Sequence, residues 1–124
     1  MKKILIIDDE ERIRQLYIKM LVEEGYTVRQ ASTAKRAFNT IIREEFDIIL
    51  LDINMPEING KTMMEVIKEL NPNLKVIITS VFPIEKQKQI IPQAANYHDK
   101  SLGLVSLLMK INDVLSASET ASPK

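Results

Sequence analysis

Four apolar residues in unbroken succession, Ile48-Ile49-Leu50-Leu51, run into one carboxylate, Asp52, and then into the turn-forming stretch Ile53-Asn54-Met55-Pro56-Glu57-Ile58-Asn59-Gly60. A run this short, without polar alternation, reads as a strand covered on both faces, the condition of strands in parallel sheets. Parallel strands need crossover connections, which are usually helices. The feature therefore restricts the chain to alternating strands and helices. It also puts Asp52 at the carboxyl end of a central strand, the edge at which open α/β sheets bind ligands.

The rest of the chain supplies that alternation. Ile4-Leu5-Ile6-Ile7 is a second buried-type run, and it ends in Asp8-Asp9-Glu10-Glu11. Ile13, Leu16, Tyr17, Met20 and Leu21 then recur at helical spacing. The carboxylates at the start of that helix suit the positive end of its dipole, and Gly25 is placed to stop it. Thr27 to Ala31, with Arg29 and Gln30, reads as a partly exposed edge strand. Ser32 or Thr33 can cap the following helix, whose stripe is Ala34, Ala37, Phe38, Ile41 and Ile42.

After Gly60 the stripe is Met63, Met64, Ile67 and Leu70, broken by Asn71-Pro72-Asn73. Val76-Ile77-Ile78 is a third short apolar run and ends in two hydroxyls, Thr79 and Ser80. Pro83 opens a short helix over residues 84–91, and Pro92 ends it. Alternation then requires a strand at Ala94 to His98. Leu104, Leu107, Leu108, Ile111, Val114 and Leu115 mark the last helix. The expected fold is α/β, a doubly wound five-stranded parallel sheet of flavodoxin-like type with strand order 2-1-3-4-5. One domain is expected over residues 1–117, with 118–124 as a tail or the start of a linker.

Composition narrows the function. Seventeen basic and seventeen acidic side chains leave no net charge, so there is no electrostatic case for nucleic acid or a membrane surface as the main partner. Cysteine is absent, which removes disulfides and thiolate metal sites. Only four apolar residues follow Met1-Lys2-Lys3 before Asp8, too few for a signal peptide or a span. A cytoplasmic location is the expectation.

Asp8, Asp9, Asp52, Thr79, Ser80 and Lys100 all fall at carboxyl ends of expected strands. In the order 2-1-3-4-5 the first, third, fourth and fifth strands are neighbours, so these groups share one shallow pocket. Clustered carboxylates hold their protons more tightly unless a cation intervenes. Hard oxygen donors with room for water suit magnesium, with manganese as an alternative. A metal, an ammonium and a hydroxyl together are what a phosphoryl group needs around its oxygens. A carboxylate can itself attack phosphorus, and Asp52, solitary on the middle strand, fits that role. Taken singly, Asp8-Asp9 reads as a helix cap, Asp52 as a turn residue and Lys100 as a solvated lysine. Their joint placement carries the functional reading.

Those residues resemble the receiver domain of bacterial two-component response regulators (the CheY-like superfamily). The resemblance runs from Lys3 to about Ser116 and rests on Ile7-Asp8-Asp9-Glu10, on Asp52-Ile53-Asn54-Met55-Pro56 with Gly60, on Thr79-Ser80 and on Lys100. It implies that Asp52 is the phosphoacceptor, charged by a sensor histidine kinase or a phosphotransfer protein. Asp8 and Asp9 would hold magnesium together with Asp52 and the backbone carbonyl of Asn54. Lys100 would pair with the phosphate, and Thr79 and Tyr97 would change position together on activation. The last strand and its flanking helices would present a face to a downstream protein target. Such a protein is not an enzyme in the ordinary sense, but an acceptor that assists its own phosphorylation and dephosphorylation.

The sequence also departs from the family pattern. Ser101 follows Lys100 where proline, with a cis bond, is usual, and a trans bond or a rearranged loop is expected instead. Gln93 stands where glycine is common, and the stretch from Thr79 to Lys100 is about one residue short. Val81 is apolar where a polar group often handles water, so slow loss of phosphate is expected; a lifetime of seconds would contradict it. Two other readings compete. A flavodoxin-like redox protein needs a hydroxyl- and glycine-rich phosphate loop after the first strand, where two aspartates stand here. A degenerate receiver would act only as a phosphorylation-independent binding module, which the intact acids and lysine oppose.

Overall fold

The computed structural model describes residues 1–120. Strands β1 (Lys3–Ile7), β2 (Thr27–Ala31), β3 (Ile48–Asp52), β4 (Lys75–Ser80) and β5 (Asn96–Asp99) alternate with helices α1 (Glu11–Glu23), α2 (Ala34–Arg43), α3 (Gly60–Leu70), α4 (Ile84–Ile90) and α5 (Gly103–Thr120). The strands form one parallel sheet in the order β2-β1-β3-β4-β5, as the sequence predicts. All of β3 is buried, consistent with its unbroken apolar run.

The sheet separates two apolar layers. Ile4, Ile6, Ile48, Leu50 and Ile77 pack against Tyr17 and Leu21 of α1 and Leu107 and Ile111 of α5. Leu5, Ile7, Ile49, Leu51 and Ile78 face α2 and α3, with Ala37, Ile41, Met63 and Ile67 opposite them. Odd and even residues of each strand thus serve different layers, as the two-residue period of a strand requires.

Local chemistry sets the helix ends. The Thr33 hydroxyl accepts the Arg36 N–H at 3.2 Å, which settles the capping of α2 in favour of Thr33 over Ser32. The first N–H of α2, from Ala34, donates to the Glu57 carboxylate at 2.8 Å. Asn59 caps α3 by accepting the Thr62 N–H. Gly25 stops α1 at φ +91°, where other residues are strained. Gly60 has a different reason: a Cβ there would lie 2.5 Å from the Ile53 Cβ.

Two boundaries differ from expectation. The fifth strand begins at Asn96 rather than Ala94 and runs to Asp99. Ahead of it, the Ala94 N–H donates to the Tyr97 hydroxyl and the Ala95 N–H to the Val76 carbonyl, in place of a regular ladder. At the other end, α5 continues through Thr120, past the residue where a tail is expected; the rest of that tail, 121–124, lies outside the described residues. Among the described residues, no helix is long and apolar enough to cross a membrane.

Candidate functional site

Adjacent strand ends bring the acids together. Asp8 follows β1 directly, Asp52 closes β3, and the register pairs Asp52 with Thr79. Asp8, Asp9 and Asp52 each offer an oxygen within 4.8 Å of the others. Asp8 and Asp52 are buried, while Asp9 is exposed. Asp8 does not cap α1. Its Oδ1 accepts the Glu10 N–H at 2.9 Å, while Glu10 occupies the cap position without a side-chain bond.

Lys100 reaches across from the end of β5. Its Nζ lies 3.0 Å from Asp8 Oδ2 and 3.4 Å from Asp52 Oδ2, with its side chain only 13 % exposed. Burial opposes the ammonium charge, but the Asp52 and Asp8 carboxylates outweigh it and hold its pKa above the ordinary value. The Asp52 pKa is also raised, to about 6, but here burial is the chief cause. The Asn54 N–H, which donates to its Oδ1 at 2.9 Å, offsets part of that rise. The Asp8 charge adds to the rise and Lys100 counters it. One ammonium among three carboxylates leaves a negative site built of hard oxygen donors, which fits a magnesium ion with retained waters.

The Lys100–Ser101 bond is trans. A 3-10 turn over Lys100–Leu102 takes the place of the usual loop, and the Asp99 carboxylate accepts both the Ser101 N–H at 2.9 Å and its hydroxyl at 2.7 Å. Lys100 still reaches the acids from this turn. Thr79 is buried, next to Asp52 on one side and His98 on the other. Tyr97 is buried as well, but its hydroxyl donates to the Ile91 carbonyl at 2.6 Å and accepts from Ala94. No hydrogen bond joins Tyr97 to Thr79 among the described residues.

Sequence reading missed the surroundings of four residues near the site. The Arg14 guanidinium donates to the Asp8 carbonyl at 2.9 Å and to Gln30 at 2.8 Å, bracing the acid loop against β2. The Ser80 hydroxyl donates to Asn54 Oδ1 at 2.7 Å, so the Asn54 side chain holds the loop beside Asp52. His98, opposite Thr79, is buried with Nδ1 unpartnered; burial and then Lys110 lower its pKa to about 4, leaving it neutral. Gln87, on α4, is fully buried and donates to the Phe82 and His98 carbonyls. Only Gln87 left a sequence signal: a carboxamide between Ile84 and Ile91 at positions where a helical stripe calls for apolar residues.

Known proteins match this chain in both sequence and fold. The sequence profile described as the response regulator receiver domain matches residues 4–112. Sporulation initiation phosphotransferase F of Bacillus subtilis is 33% identical over 81 residues, which span 65% of each chain. A CheY-like response regulator receiver domain protein from Methanospirillum hungatei superposes with a TM-score of 0.90 at 30% identity, covering 98% of this chain and 99% of that one. The response regulator TrrA of Thermotoga maritima, solved in complex with Mg(2+)-BeF, gives 0.84 at 30% identity over 93% of this chain and all of its own. TrrA has also been solved in complex with the histidine kinase ThkA.

Proposed function

The chain belongs to the response regulator receiver domain family, and from that membership we propose that it accepts a phosphoryl group on Asp52 from a phosphohistidine donor. The observation that carries this reading is the cluster of Asp8, Asp9 and Asp52 within 4.8 Å, with the Lys100 ammonium against two of them. An Asp52 oxygen attacks phosphorus, an O–P bond forms, and the N–P bond to the donor imidazole breaks, the imidazole keeping the electron pair. Without the metal the carboxylate is ionised, and so nucleophilic, above a pH of about 6, and a bound cation favours the ionised form further. Asp8, Asp9, Asp52 and the Asn54 carbonyl would hold magnesium, which supplies charge neutralisation for the transferring oxygens. Lys100 offers a second cation to those oxygens, and Thr79 a hydroxyl beside them.

The donor is a sensor histidine kinase or a phosphotransfer protein, a reading supported by the kinase complex of TrrA and by the likeness to a sporulation phosphotransferase. The chain acts as a stoichiometric acceptor that assists its own phosphorylation and dephosphorylation, and passes the signal to a downstream protein. Incubation with acetyl phosphate and magnesium, followed by intact-mass analysis, tests the proposal. One phosphate adduct is expected in the wild type and none in Asp52→Ala; equal labelling of both would overturn it.

A further inference from the structure

A path of hydrogen bonds runs from one Asp52 carboxylate oxygen to the His98 carbonyl, and the main chain then leads to Lys100, whose ammonium is ion-paired with the other oxygen. Asp52 Oδ1 accepts the Asn54 N–H at 2.9 Å. Asn54 Oδ1 accepts the Ser80 hydroxyl at 2.7 Å, and the same Ser80 oxygen accepts the Phe82 N–H at 3.0 Å. The Phe82 carbonyl accepts from Gln87 Nε2 at 2.8 Å, and that nitrogen also donates to the His98 carbonyl at 2.9 Å. Two residues beyond His98, the Lys100 ammonium lies 3.4 Å from Asp52 Oδ2.

Gln87 is the one member of this ring that belongs to α4. It is 0% exposed, and its Oε1 has no partner. A buried acceptor without a partner is costly, and an apolar side chain would suit the stripe between Ile84 and Ile91 better. What an apolar side chain could not supply is the pair of donated bonds. They tie the exit of β4, which carries Thr79 and Ser80, to the end of β5, which leads to Lys100.

We propose that Gln87 is a positioning residue that couples the occupancy of Asp52 to the placement of α4. This rests on Asp52 being the phosphoacceptor. A group added to the Asp52 carboxylate competes for the Asn54 N–H at one end of the ring and for the Lys100 ammonium at the other. Both ends of the disturbance therefore arrive at one carboxamide. Small changes in donor–acceptor geometry weaken hydrogen bonds steeply, so α4 shifts with them or releases one of the two carbonyls. Coupling of this kind is reciprocal: what the site does to α4, α4 does to the affinity of the site.

The test uses the full chain with beryllofluoride and magnesium as the probe. Fluorine NMR reports loading, and amide hydrogen exchange over residues 82–90 reports α4. In the wild type, loading changes the exchange rates of α4. In Gln87→Met, and independently in Gln87→Leu, loading persists while the difference between loaded and unloaded α4 is lost. If one variant does not fold, the other carries the test. A merely structural Gln87 would speed exchange equally in both states and leave their difference intact, which would overturn the proposal. A folded variant that no longer loads would overturn it too, since Gln87 would then serve the site itself. Failure of the wild type to load would instead remove the phosphoacceptor reading, and the coupling with it.

Discussion

Asp52 shows how strongly position governs a single carboxyl group. It is 4% exposed, beside another buried acid, and its pKa stands at about 6 against the usual carboxylate value near 4. The folded state therefore binds more protons than the unfolded chain between roughly pH 4 and 6, and stability falls as pH rises through that window. Asp52→Asn removes the penalty. Without divalent cations it should gain about 1–3 kcal/mol at pH 7 over the wild type, and the gain should vanish near pH 4. Urea melts at the two pH values check this. An equal gain at both would mean that packing, not ionisation, is responsible.

Among the elements, β3 and its exit loop have the least freedom. Gly60 begins α3 against the side chain of Ile53, where a Cβ would meet the Ile53 Cβ at 2.5 Å. A Cβ is not the movable end of a flexible chain, so the helix or the loop after Asp52 must shift. Gly60→Ala should destabilise by about 1–3 kcal/mol and weaken magnesium binding as the Asp52–Asn54 loop moves. Chemical denaturation and a magnesium titration measure the two effects; an unchanged midpoint with unchanged affinity would show that the contact relaxes freely. Elements built on apolar runs, β1, β3 and β4, were legible in the sequence because burial on both faces leaves only one kind of residue. The fifth strand was legible only through the alternation of elements, since Asn96, Tyr97, His98 and Asp99 carry no such run and their pairing comes from β4. The Gln87 bonds were equally hidden, because their acceptors are main-chain carbonyls, which have no signature in a sequence.

For the molecule as a whole, the ends of β1, β3 and β5 deliver three acids and a lysine to one edge of the sheet. A ligand that binds this edge in the folded state and not in the unfolded chain stabilises the fold by mass action. Magnesium at about one hundred times its dissociation constant should add about 2.7 kcal/mol, a rise in Tm on the order of 10 °C. Asp8→Asn should lose most of that rise. Scanning calorimetry with and without the ion decides it, and an equal rise in both proteins would place the ion somewhere other than the acid cluster. The placement of the cluster was legible from topology alone, because parallel strands must end on a common side. The trans turn that carries Lys100 was only half legible: Ser101 argued against the usual cis bond, but the Asp99 carboxylate that organises the turn went unread.

The bond from Ala34 to Glu57 also has a bearing on the order in which a nascent chain can complete itself. Synthesis releases β1, α1, β2 and α2 before β3, yet the first turn of α2 lacks this acceptor until residue 57 has emerged. Likewise the Lys3 N–H is met by Asp47, which lies just ahead of β3. The amino-terminal half is therefore finished from the outside, by residues flanking the strand that is inserted next to it. A ribosome-stalled chain ending before residue 57 should leave the start of α2 open, and the arrival of the Asp52 loop should close it.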